Sequence, residues 1–378
     1  MATRVDPDFI YEIKEYGAVG IEKCFNCGNC TAICPLTSDE YPFPRNMIRM
    51  VQVGQKENLK HKIDPWLCYY CGECSETCPK GAEPGETMMA MRRWLTAQYD
   101  WTGLSRKTYT SKLWMVGMLI LAVVVVVVLA LILRGPMVTS EVALNTFAPV
   151  EIIHTADLIL AAVLGFFLLT NLARMYFMVM GGETRIPINV YISEAWNLVV
   201  HLVTQKRFAE CENSQQRWVN HLILVAGYGT MFLLIVVFLS WFQTDNIYPI
   251  YHPQRWLGYL AAGALVYGGI DAVLGRIQKR HQMHKYSHPS DWLFPILLVL
   301  LAVSGLVIHF VRYAGLPMTT YYAYVAHLAI MMMLYVTVGP MGTWAHLIYR
   351  PFAIYFQAVK AKAKQVQEEM PAAPATAD

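Results

Sequence analysis

LWMVGMLILAVVVVVVLALIL, residues 113–133, decides the fold: it holds no charged residue, and Val123–Val128 is unbroken. At 1.5 Å per residue a helix of this length rises about 30 Å, the thickness of the hydrocarbon core of a bilayer. Five further apolar stretches follow, at about 151–178, 219–242, 256–275, 291–311 and 322–349, so the sequence predicts six spans in contact with lipid. The composition agrees, with 56% hydrophobic and 15% charged residues in a chain of 378, against about 25% charged in a soluble domain. So much apolar surface excludes a disordered chain. A net charge of +3 gives nucleic-acid binding no support. Residues 1–23 contain Asp6, Asp8, Glu12, Glu15 and Glu22 and no apolar core, so no signal peptide is read there.

Lys and Arg near the span ends set the expected orientation. With the N-terminus inside, the cytoplasmic segments carry fifteen of them, from Arg106 and Lys107 through Arg276 and Lys285 to Lys364, and the outer segments carry only Arg134, Arg255 and Arg312. Both termini are therefore expected in the cytoplasm, in a multi-pass protein of the cytoplasmic membrane. The chain divides into a cytoplasmic domain (1–105), a transmembrane domain (106–349) and a cytoplasmic tail (350–378) that ends in disorder. Helices are expected after Pro44 and over 85–98. In the connection 183–217, Ile192, Trp196, Val199, Val200 and Val203 form an apolar stripe, suited to the membrane interface or to packing on cytoplasmic parts.

Eight of the nine cysteines fall in the first 78 residues, in two runs of one pattern: Cys24-x2-Cys27-x2-Cys30-x3-Cys34-Pro35 and Cys68-x2-Cys71-x2-Cys74-x3-Cys78-Pro79. In a reducing compartment such clusters are metal ligands rather than disulfides. Three cysteines so spaced wrap one cubane cluster, and the fourth of each run ligates the other. One 4Fe-4S cluster is thus assigned Cys24, Cys27, Cys30 and Cys78, and the second Cys68, Cys71, Cys74 and Cys34. Zinc, the alternative for four cysteines, does not call for this repeat with its trailing proline. Cys211 stands alone and reads as a plain thiol.

Ionisable groups inside spans are functional candidates, and a neutral imidazole binds haem iron. His327 and His346 lie in the last predicted span, where nineteen helical residues would rise about 28 Å, so one helix is expected to serve two haems. His221, at the inner start of the third span, is paired by depth with His346. His154 and His309 both sit at outer span ends and compete for His327. His154 is favoured as ligand because it follows a helix start at Pro149 and shares a face with Asp157. His309 and Arg312 are then assigned to a quinone or haem-propionate contact, with Asp157 as proton carrier at the quinone site. The expected fold is all-α: a helical two-cluster ferredoxin domain fused to a six-helix transmembrane haem-binding bundle.

The runs CFNCGNCTAICP and CYYCGECSETCP resemble the small iron–sulfur subunit of heterodisulfide reductases. The C-terminal part, from His327 through PMGTWAHLIYRPFAIYF, resembles the di-haem cytochrome b subunits of respiratory nitrate reductases (gamma type) and of membrane heterodisulfide reductases. Their fusion is similar to the membrane C subunits of the quinone-modifying oxidoreductase (Qmo) complexes of sulfate reducers. The resemblance implies two 4Fe-4S clusters, two b haems and menaquinone as substrate. It also implies soluble flavin and iron–sulfur subunits as partners, with adenylylsulfate reductase beyond them. One position departs from the pattern: the nitrate reductase subunits place two ligands on the helix matching the third span, and here Met231 stands where the second would be. Disulfide reduction at the clusters goes with a Cys-Cys-Gly motif in heterodisulfide reductases, and this chain has no adjacent cysteine pair. A heterodisulfide- or nitrate-reductase-type subunit with another soluble partner, and a non-redox membrane anchor, are the competing readings.

Overall fold

The computed structural model describes residues 4–38, 41–182, 186–209, 215–339 and 341–369. Cys211 and the end of the tail, 370–378, lie outside the described residues. Among those described the chain is helical and forms no strand. The N-terminal part folds as α1 (Phe9–Glu15), α2 (Asn29–Ile33), α3 (Arg45–Gln52), α4 (Lys56–Lys60), α5 (Asp64–Leu67), α6 (Glu73–Glu76), α7 (Pro84–Tyr99) and α8 (Leu104–Thr110). α7 is its axis and is buried on almost every side. Phe9 meets Trp94 edge to face at 5.1 Å, and Met47, Ile48, Val51, Leu59 and Met91 close the core around them.

Among the described residues six helices are long and apolar enough to cross a membrane: α9 (Lys112–Leu133), α11 (Val150–Met180), α14 (Gln215–Val236), α16 (Pro253–Ile277), α17 (Pro289–Tyr313) and α18 (Pro317–Val338). Between them lie α10 (Leu144–Phe147), α12 (Ile188–Thr204), α13 (Lys206–Ala209) and α15 (Leu239–Phe242), and α19 (His346–Glu369) closes the chain. α9 starts where Ser111 Oγ accepts from the Trp114 amide, and it turns Leu113, Ile120, Leu131 and Ile132 outward. An apolar face that no protein covers suits lipid. α14, α16, α17 and α18 pack in sequence order, each on the next, with α9 against α18. α12 lays Tyr191 on α19, where the Tyr355 hydroxyl donates to the Tyr191 carbonyl at 2.8 Å. Its apolar stripe, Ile192, Trp196, Val199 and Val203, is exposed, with Val200 half-buried beside it.

Two predicted spans are shorter than expected. The third ends at Val236, and α15 follows as a separate turn. The last ends at Val338: Gly339 leaves the helical region (ψ −143°) ahead of Pro340, since a residue preceding proline disfavours the α conformation. The helix resumes only at His346, so His327 and His346 belong to different helices and the single 28 Å ladder is not formed. The tail expected from 350 is also helical through Glu369. Tyr349, Ala353, Phe356 and Val359 of α19 join Phe9 and Trp94 in one continuous core with Met175 and Val179 of α11.

The N-terminal domain is thereby fastened to one end of the bundle. Arg93, 5% exposed, bridges Asp291 at the start of α17 at 2.7 Å and donates to the Tyr16 carbonyl at 2.9 Å. Glu83 takes Lys285 at 3.2 Å and Gln282 at 2.9 Å from the α16–α17 connection. Arg174 of α11 donates to the Tyr99 carbonyl at 2.8 Å.

Candidate redox centres

The two cysteine runs repeat in backbone as well as in sequence. Asn26 and Gly28 in the first, and Tyr70 and Gly72 in the second, all adopt positive φ, and each glycine opens a short helix carrying the third cysteine. Successive amides in such turns form a concavity for negative charge, a device of iron–sulfur sites. The Tyr70 amide already points at Cys68 Sγ, at 3.3 Å. α2 and α6 pack together, and Asn29 Nδ2 donates across to the Thr77 carbonyl at 2.7 Å. That contact carries the end of each run over to the other. One cavity is lined by Cys24, Cys27, Cys30 and Cys78, and a second by Cys34, Cys68, Cys71 and Cys74.

Burial, then the neighbouring thiolates, pushes Cys34 up to about 12 and raises Cys30 and Cys74 as well. Buried thiols in that condition give up their protons most readily to a bound cation. Among the described residues no three such donors are close enough to hold a single ion, whereas a cubane spreads its ligands wider than one zinc would. Arg45 lines the first cavity, and Arg92 donates to the Cys68 carbonyl beside the second. Cys27 is exposed with Phe25 (57%) next to it, while Cys68 is buried toward the bundle.

His221 and His346 meet at the domain end of the bundle, their ring centres 6.5 Å apart. Two imidazoles flanking one metal through bonds of about 2 Å each have ring centres roughly 6 Å apart. His221 Nδ1 donates to Gln205 Oε1 at 2.6 Å, and His346 Nδ1 donates to the Thr343 carbonyl. Both Nε2 atoms are thus left bare, and such partners fix tautomer and ring orientation. Burial pushes His346 down to about 4, so it is neutral as a ligand must be. One turn on, Tyr349 packs on Trp66 and Tyr99 at 5.2 Å each, and Arg350 lies 5.0 Å over the ring of Tyr69, the neighbour of Cys68.

At the far end a cavity of about 200 Å³ opens between α14, α16, α17 and α18. Asp157, Met231, Tyr259, His309, Arg312 and His327 line it, and so does Arg255. Ser304 gives its one proton to the Leu301 carbonyl at 2.9 Å, so its Oγ accepts from His327 Nδ1 at 2.8 Å. That leaves His327 Nε2 as a free lone pair. His154 lines neither this cavity nor its neighbour: its Nε2 donates to the Val236 carbonyl at 3.1 Å, where α14 ends. The expected pairing of His154 with His327 is therefore not formed. Depth along a helix gave both histidines equal standing, and the azimuth of α11 turns His154 away. His309 does face the cavity, with its Nε2 on the Tyr259 hydroxyl. Asp157 and Tyr324 line this cavity and also an apolar slot between α9, α11 and α18. Gln205, Ser304 and Tyr259 left no motif in the sequence, whereas Arg255, a charge two residues into a span, was a visible signal.

Residues 23–82 match the 4Fe-4S dicluster domain family. The chain is 36% identical over 88 residues to a protein of Archaeoglobus profundus described as like the C subunit of heterodisulfide reductase, 23% of this chain and 47% of that protein. It is also 36% identical over 65 residues to the C subunit of the H(2):CoB-CoM heterodisulfide,ferredoxin reductase of Methanothermobacter marburgensis, 17% of this chain and 35% of that protein. The chain thus spans less than half the length of these curated relatives. No solved structure matches it. The N-terminal part thus holds a 4Fe-4S dicluster domain and resembles the C subunit of heterodisulfide reductases.

Proposed function

We propose that the chain is the membrane electron-transfer subunit of a quinone-dependent oxidoreductase, lodged in the cytoplasmic membrane with both termini inside. It links menaquinone to soluble flavin and iron–sulfur subunits through two b haems and two 4Fe-4S clusters. Its functional type is the membrane C subunit of the quinone-modifying oxidoreductase complexes, with adenylylsulfate reductase as the eventual partner and sulfur-compound reduction as the destination. Bound in their seats, haems and clusters supply one-electron chemistry at neutral pH.

The observation that carries the reading is the junction. His221 and His346 stand ready for iron at the domain end, and α19, which begins with His346, packs through Tyr349 and Arg350 against the residues flanking Cys68. The residue sets then fall in a row: His327, the His221–His346 pair, the Cys34/Cys68/Cys71/Cys74 cavity, and the exposed Cys24/Cys27/Cys30/Cys78 cavity. Thiolates and imidazoles hold the metals, Gln205 and Thr343 hold the rings, and apolar packing keeps water out between them. Quinol oxidation also releases protons. Asp157, a carboxylate inside a span bordering both the far cavity and the lipid-side slot, is placed to accept one and hand it toward the far face.

A reduced-minus-oxidised optical spectrum of the purified chain, with iron and acid-labile sulfide analysis, tests this. Haem b bands with eight irons and eight sulfides per chain are expected; absence of haem bands refutes it. The archaeal relatives' names favour a second reading, a heterodisulfide-reductase-type subunit with a different soluble partner. Co-purification of the native complex separates the two.

A further inference from the structure

The far cavity is lined by two buried cations, and neither forms an ion pair within 4 Å among the described residues. Arg255 and Arg312 are 7% and 5% exposed. Among the described residues their guanidinium groups reach only backbone carbonyls, of Asn246 at 3.5 Å and of Thr244, and each leaves its Nε without a partner. The carboxylate of Asp245, which lies between those two carbonyls in sequence, attracts Arg312 through space and accepts from the Asn145 amide. Two buried guanidinium groups that repel each other, with Asp245 acting on Arg312, leave an excess of positive charge that is costly, and guanidinium forks match carboxylates. A neutral quinone would not neutralise two of them.

Deeper in the same cavity stand a free imidazole nitrogen, His327 Nε2, and an uncommitted thioether, Met231. Their depths follow from the helix contacts. Gly227 of α14 lies against Ala261 and Ala264 of α16. Half a turn farther out, Tyr259 of α16 reaches His309 of α17. Met231, one turn beyond Gly227, is therefore level with this layer, about a turn and a half farther out than Ser304, which holds His327. The two residues also come from separate walls, since α14 and α18 do not pack closely on each other. His309 is the rival, but it stands on α17, directly beside α18, and its Nε2 is taken by Tyr259.

We infer that the far cavity seats a second haem between His327 and Met231, with Arg255 and Arg312 receiving its two propionates. This rests on the reading that the chain carries b haems. α14 then serves both seats, His221 near the domain and Met231 ten residues on, a rise of about 15 Å. Arg312 leaves the quinone site for the propionates, and Asp157, facing the lipid-side slot, remains for the quinol. A methionine in place of a second imidazole raises the potential of the haem it binds.

The test uses the full-length chain purified from membranes. Haem per chain is counted as the pyridine adduct. Spin state and ligand class are read by electron paramagnetic resonance and near-infrared magnetic circular dichroism. Two low-spin haems are expected, one with a thioether-to-iron charge-transfer band. Met231→Leu should turn that haem high-spin without lowering the count. Met231→His should keep it low-spin, remove the band and lower its midpoint potential. Arg255→Gln combined with Arg312→Gln should speed loss of one haem to an acceptor protein by about tenfold or more, leaving its ligand band unchanged. If Met231→Leu leaves both haems low-spin while His309→Ala turns one high-spin, His309 is the ligand and the inference is overturned. A chain with one haem, lost in His346→Ala, also overturns it. A chain with none removes instead the broader reading on which it rests.

Discussion

Replacing Arg93 by Ala is expected to loosen the iron–sulfur domain from the bundle. The Arg93–Asp291 pair, at 2.7 Å, has its side chains 5% and 17% exposed. At an effective dielectric of about 20 the attraction is about 6 kcal/mol, most of it offset by the desolvation of both charges. Removing one partner is costlier than the net worth of the pair, because the remaining charge stays buried; such losses run to about 3–5 kcal/mol. Asp291 would keep the bond from the His288 amide at 3.0 Å and some solvent, which places the expected loss at the low end, about 3 kcal/mol, or roughly 100-fold in an opening equilibrium. Amide hydrogen exchange in detergent reads this directly: α7 amides should exchange about 100-fold faster in Arg93→Ala. Arg93→Ala combined with Asp291→Ala should lose less than the sum of the two singles. Additive losses, or α7 exchange unchanged in the single variant, would refute the view that this pair holds the junction.

Cys34→Ser should damage the cluster seated by Cys68, Cys71 and Cys74 more than that of its own run; an electron paramagnetic resonance spectrum altered only in the first-run cluster would contradict the crossed assignment. His221→Ala and His346→Ala should each abolish the same haem, and optical spectra with one variant intact would sink the pairing. Burial raises the carboxyl of Glu86 from 4.5 to about 7, so the folded state holds its proton more tightly than the unfolded one. The stability it contributes is full below about pH 4.5 and is lost as pH rises through about 7, up to about 3 kcal/mol. Glu86→Gln should flatten that decline in pH-dependent unfolding of the domain.

The cysteine grouping was legible because ligand spacing is local: three positions on one turn declare a cluster, and the trailing proline declares the crossing. The spans were legible because hydropathy is additive along a helix. The break at Gly339–Pro340 is visible as a proline within an apolar run, yet the apolar length on either side of it outweighs that signal. Partner choice among the far-end histidines needed azimuth. Depth along the chain could not tell that His154 turns to the Val236 carbonyl while His309 turns inward. The tail reads as solvated because its Lys and Glu residues mask the buried face formed by Tyr349, Ala353, Phe356 and Val359.

That face changes what counts as a separable part of this protein. α19 shares one core with the iron–sulfur domain, with α11 and with α12, and its first residue, His346, faces His221 of the bundle. On the proposed reading, the seam between the two halves runs through an iron coordination sphere. A bundle produced without its cytoplasmic partner keeps one ligand of that pair poorly supported, and a soluble domain cut free carries away a ligand with nothing to bind. The two halves are built to be inherited, assembled and lost together.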